Sequence, residues 1–123
     1  MIQPLALVLC ERLMPGSQLV NRLQDLNYRV LSLDALERLG ATAQREAPLL
    51  LFIDLASPRD VCAAIAALRS APATAHLPVI AFAPENAADL LAAAQTAGAN
   101  IAVSDSAVIN HLAPLIDQAL NLD

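Results

Sequence analysis

Short apolar runs alternate along this chain with longer stretches whose apolar residues recur at helical spacing. "PLALVLC" (4–10), "YRVLSL" (28–33), "LLLFID" (49–54), "PVIAFA" (78–83) and "IAVS" (101–104) read as five strands. The first, third and fourth are almost wholly apolar, as expected of strands covered on both faces. Pro15 and Gly16 read as breakers, after which Ser17 caps a helix with Leu19, Val20, Leu23 and Leu26 on one stripe. Asp34 is a candidate cap for a helix over 35–46. Further helices are predicted over 59–70, over 85–100 with Gly98 near its end, and from near His111 to Leu120. Pro114 suits the first turn of that last helix or else kinks it.

Five strands alternating with five helices predict an α/β fold with a parallel sheet and right-handed crossovers. The flavodoxin-like order 2-1-3-4-5 is the expected arrangement, in one domain over 1–123. It places chemistry at the C-terminal ends of strands one and three. Asp54 lies at such an end, where five apolar residues run into a lone carboxylate.

Composition narrows the function classes. The chain is 57% hydrophobic, which argues against disorder, and its three aromatic residues are too few for a nucleic-acid stacking platform. Net charge is −5, no Lys occurs, and the seven Arg are scattered, so no basic patch for nucleic acid is expected. No apolar run has membrane-spanning length and no signal-peptide pattern opens the chain, so a cytoplasmic protein is expected. Cys10 and Cys62 read as reduced thiols. His76 and His111 have no metal-ligand spacing and read as surface residues.

Three stretches carry a resemblance that spans essentially the whole chain. "FIDLASP", with its D-L-x-x-P pattern through Pro58, "LPVIAFA" and "AAAQTAGAN" resemble the response-regulator receiver (CheY-like) family. The resemblance implies that Asp54 stands at the phosphoryl-acceptor position. It implies that Cys10 and Glu11 stand where the family has an acidic pair, Ala83 where it has a hydroxyl, and Asp105 where it has a lysine. A receiver needs oxygen ligands for Mg²⁺ and a cation against the phosphoryl oxygens. Two unit charges about 4 Å apart interact by roughly 4 kcal/mol at an effective dielectric of ~20, so Asp for Lys is a costly reversal. Arg12 and Arg59 lie near the site in sequence and are read as solvated surface residues.

The expectation is therefore a degenerate receiver, or pseudo-receiver: a non-enzymatic signal-transduction module acting through protein–protein contact. No cofactor is expected beyond a weakened Mg²⁺ site at Asp54 and Glu11. Two alternatives stand beside it. One is a working phosphorelay receiver, phosphorylated on Asp54 by a histidine kinase. The other is a small-molecule sensor using the crevice at Cys10, Asp54 and Ala83. Between Asn86 and Ile116 only Asp89 and Asp105 are formally charged. The resemblance implies a docking or self-association face there, on helix 4, strand 5 and helix 5, with Ala87, Leu91, Ala94 and His111 as candidates.

Overall fold

The computed structural model describes residues 3–33, 35–56 and 60–121. Pro58, Arg59 and the proposed cap Asp34 lie outside the described residues.

All five expected strands form: β1 (Leu5–Leu9), β2 (Arg29–Leu33), β3 (Leu50–Asp54), β4 (Val79–Ala83) and β5 (Ile101–Ser104). They pair in parallel in the order β2-β1-β3-β4-β5, the flavodoxin-like arrangement. Side chains alternate across the sheet, as a strand's two-residue period requires. Leu7, Leu9, Leu51, Ile53, Val79 and Ala81 join one core layer, while Ala6, Val8, Leu50, Phe52, Ile80 and Phe82 join the other. Burial on both faces explains why these strands are apolar throughout.

The described helices are α1 (Leu13–Asp25), α2 (Leu39–Glu46, preceded by a 3₁₀ turn at Leu36–Arg38), α3 (Val61–Ser70), α4 (Ala88–Ala97), α5 (Asp105–Asn110) and α6 (Leu112–Leu120). Leu19, Leu23, Val108, Ile109, Leu112 and Ile116 cover one face of the sheet. Leu39, Val61, Ile65, Leu68 and Ala94 cover the other.

One expectation is corrected and one helix is added. Ser17 does not cap α1. Helical backbone runs regularly from Pro15, after Met14 at φ −116° and ψ 129°, and the Ser17 hydroxyl donates to Met14 Sδ at 3.2 Å instead. Proline is well suited to a first turn because its missing N–H leaves nothing unsatisfied there. Gly16, likewise inside α1, packs against Cys10, just past β1: a Cβ there would lie 3.3 Å from Cys10 Sγ. The expected last helix forms as α6 from Leu112, and a short helix the sequence does not announce, α5, precedes it across a break at His111 (φ −125°, ψ 33°). Pro114 cannot donate to the carbonyl of Asn110 four residues back, so the helix stops and restarts with Pro114 in the first turn of α6.

Arg69, at the end of α3, fastens the opposite end of the sheet. It donates to the carbonyls of Gly98 (2.8 Å), Ala75 (2.9 Å) and Leu77 (2.6 Å), and to Asn100 Oδ1. Asn100 Oδ1 also accepts from the Val79 amide at 2.8 Å, at the start of β4. Gly98 closes α4 at φ +121°, a conformation that other residues seldom adopt.

Candidate functional site

Strand register assembles the site. β1 and β3 pair from Ala6↔Leu50 to Leu9↔Ile53, so one further step sets Cys10 opposite Asp54. Two steps across the sheet, Ala83 pairs with Ser104, and Asp105 follows as the first residue of α5. Ser104 caps that helix, its Oγ accepting from the Ala107 amide at 3.3 Å. Strand ends distant in sequence thus converge at the C-terminal edge of the sheet.

Arg12 occupies the centre. Its Nε and Nη2 donate to Asp54 Oδ2 and Oδ1, both at 2.8 Å. Its Nη1 and Nη2 donate to Asp105 Oδ2 at 2.9 Å and Oδ1 at 3.0 Å. One planar guanidinium thereby presents two edges to two carboxylates, each in a fork geometry that lysine cannot reproduce. Asp54 is 4% exposed, Asp105 21% and Arg12 29%. The two carboxylates hold the Arg12 guanidinium charged well beyond its ordinary range, through hydrogen bonds to Asp54 first and Asp105 second.

The expectation that Arg12 is a solvated surface residue is overturned, and so is the expectation that Asp105 leaves the site without a cation. The cation comes from the loop after β1 rather than from the end of β5. Its second acid, in turn, is the first residue of α5, just past β5. A sequence signal for this exists: Arg12 lies just after the first strand, and Asp105, where the resemblance implies a lysine, lies just after the fifth.

Asp54 has no spare acceptor capacity. Among the described residues it accepts from Arg12 twice, from the Ala56 amide at 2.9 Å and from the Cys10 thiol at 3.4 Å. A carboxylate offers about four lone-pair directions, and these contacts fill them. Cys10 also points its thiol at the Arg12 carbonyl, 3.4 Å away. Burial, reinforced by the Asp54 charge, pushes its pKa up to about 11, so the thiol stays protonated and unreactive at neutral pH.

The remaining candidates divide clearly. Ala83 is fully buried and offers no polar side-chain atom at the hydroxyl position. Glu11 is exposed; it shares with Asp54 only a very small cavity, also lined by Leu9 and Leu36. Among the described residues no three His, Cys, Asp or Glu side chains are grouped to hold a metal. The residues present do not fit Mg²⁺ at Asp54 and Glu11, because a guanidinium already stands on both oxygens of Asp54. On α4, Ala94 is fully buried rather than exposed, while Ala87 and Leu91 pack half-buried against the α3 side of the core. An alanine-rich helix gives no contrast by which to tell its faces apart. Leu90 and Ala93 are exposed there, as is His111 between α5 and α6.

No protein-family model and no curated sequence matches the chain. Solved structures match it throughout. A proposed response regulator from Chloroflexus aurantiacus aligns with TM-score 0.90 at 19% identity, covering 98% of this chain and 100% of that one. The receiver domain of a Pseudomonas aeruginosa sensor histidine kinase, with a magnesium ion coordinated in its active site cleft, aligns with TM-score 0.87 at 16% identity, with 98% and 100% coverage. A response regulator from Thermotoga maritima aligns with TM-score 0.82 at 16% identity and the same coverage. The chain has the receiver fold. Within that fold, the polar end of the sheet is where this sequence has placed the Arg12 bridge. No described helix is long and apolar enough to cross a membrane.

Proposed function

We propose that the chain is a receiver-fold interaction module whose strand-end pocket is held shut by Arg12 instead of being switched by phosphorylation. One observation carries this reading: the guanidinium of Arg12 bridges Asp54 and Asp105 through four short hydrogen bonds. A nucleophilic carboxylate needs a free oxygen and a cation shared with the incoming phosphoryl group. Here both oxygens are committed, and the cation is neutralised by two acids, leaving the trio with a net negative charge. That charge repels a phosphate dianion.

Signalling then runs through contact between proteins. The charge-poor surface of α4, β5 and the α5–α6 junction supports such a role, with Leu90, Ala93 and His111 among its exposed residues. The test is titration with Mg²⁺ and beryllofluoride followed by NMR, with parallel exposure to acetyl phosphate and mass analysis. The amides of Asp54, Ala56 and Asp105 stay in place and no phosphoryl adduct forms. Stoichiometric labelling that disappears in Asp54→Asn would overturn the reading in favour of a working phosphorelay receiver.

A further inference from the structure

We propose that the open groove between α1 and β2 docks a protein segment in which one basic residue is flanked by apolar ones. This rests on reading the chain as a protein-binding module, and it names a second face and the partner's chemistry.

The groove has a volume of about 490 Å³ and lies beside the Arg12 bridge. Val8, Gly16 and Val20 give it an apolar floor and wall. Its rim carries Leu13, 80% exposed, and the adjoining Met14 is 53% exposed. These are the two most exposed large hydrophobic side chains among the described residues. Neighbouring apolar side chains held in water beside an apolar groove mark a contact surface rather than scattered surface residues.

Charge selects the partner. Glu11 stands on the same groove, exposed and without a described partner, and carries one negative charge. Arg12 also lines the groove, but its charge is more than cancelled by Asp54 and Asp105. The local field is therefore negative, although an arginine is present. A segment that pairs a lysine or arginine with Glu11 and lays apolar neighbours on Leu13 and Met14 satisfies both features. An acidic segment is repelled.

The test uses the full chain and a synthetic blocked peptide, Leu-Leu-Arg-Leu-Leu, with a Glu-centred peptide and arginine amide as comparisons. NMR titration with the Arg peptide shifts the amides of Leu13, Met14, Val20 and Ser32, and the Glu peptide binds several-fold more weakly. Glu11→Gln weakens the Arg peptide about two- to fivefold, the range of an exposed ion pair, and removes most of the preference. Leu13→Asp, at an exposed position that leaves the fold intact by circular dichroism, weakens it by about tenfold or more. Equal affinity for both peptides overturns the proposal, as does no saturable shift at millimolar peptide. Arginine amide binding as tightly as the peptide replaces it with a small-cation site. Shifts confined to Leu90 and Ala93 refute this groove while leaving the interaction module standing. Phosphorylation of Asp54 refutes the module's closed pocket whatever the peptides do.

Discussion

Replacing Arg12 by alanine leaves Asp54, 4% exposed in the intact chain, with the Ala56 amide and the Cys10 thiol as its partners among the described residues. The Arg12–Asp54 attraction is worth roughly 4 kcal/mol for charges about 4 Å apart at an effective dielectric of ~20. Water entering the space vacated by the side chain offsets part of this, and Asp105, 21% exposed, can turn towards solvent. A net loss of about 2–4 kcal/mol follows, near the range for breaking one partner out of a buried pair. For a chain of this size that corresponds to a drop in Tm of about 10 °C. Urea unfolding followed by far-UV circular dichroism reads it, since the chain has no Trp. Arg12→Lys falls between wild type and alanine, because an ammonium cannot fork onto two carboxylates. A double-mutant cycle of Arg12→Ala with Asp54→Asn gives a coupling of about 1 kcal/mol or more. If Arg12→Ala costs less than about 0.5 kcal/mol, the bridge is no better than an ordinary surface pair and the closed-pocket reasoning fails.

Arg69→Ala lowers stability by about 1.5–3 kcal/mol in the same assay, because the Gly98, Ala75 and Leu77 carbonyls lose their donor. Gly98→Ala is destabilising as well, by about 1–2 kcal/mol, from strain at a left-handed position; its Cβ would also stand 2.6 Å from Arg69 Cγ. The Cys10 thiol loses its proton only near pH 11 in the folded chain and nearer 9 when unfolded, so stability falls as pH rises through that window; Cys10→Ser removes this part of the pH profile measured by urea titration. On α4, Leu90→Asp weakens any self-association seen by analytical ultracentrifugation while leaving Tm within about 2 °C, since that side chain is 39% exposed.

Much of the fold is legible in the chain itself. Five apolar runs bounded by Pro, Gly and acids mark the strands to within a residue or so at each end, because parallel strands buried on both faces leave a dense signature. Asp54 is legible as a strand-end acid for the same reason. The short helix α5 just before the last one is harder to read. A proline in a helical pattern is compatible with a kink or a restart, and only the backbone at His111 decides. The face of α4 is illegible, since alanine suits core and surface alike. The bridge is hardest of all. Arg12 and Asp105 are 93 residues apart, and their meeting depends on three strand registers and the start of α5. Taken singly, Asp105 looks like a defect against a receiver pattern and Arg12 like a surface residue. Together they form an ion pair whose guanidinium also holds Asp54.

That bridge is not opened by loss of a proton from its cation. A guanidinium remains ionised across the whole range in which such a chain folds, and its two acids hold it there more firmly still. A cation that keeps its proton gives the bridge no deprotonation switch of its own. On the reading proposed above, the protein's message lies in dosage: how many copies are made, and which binding sites on other proteins they fill.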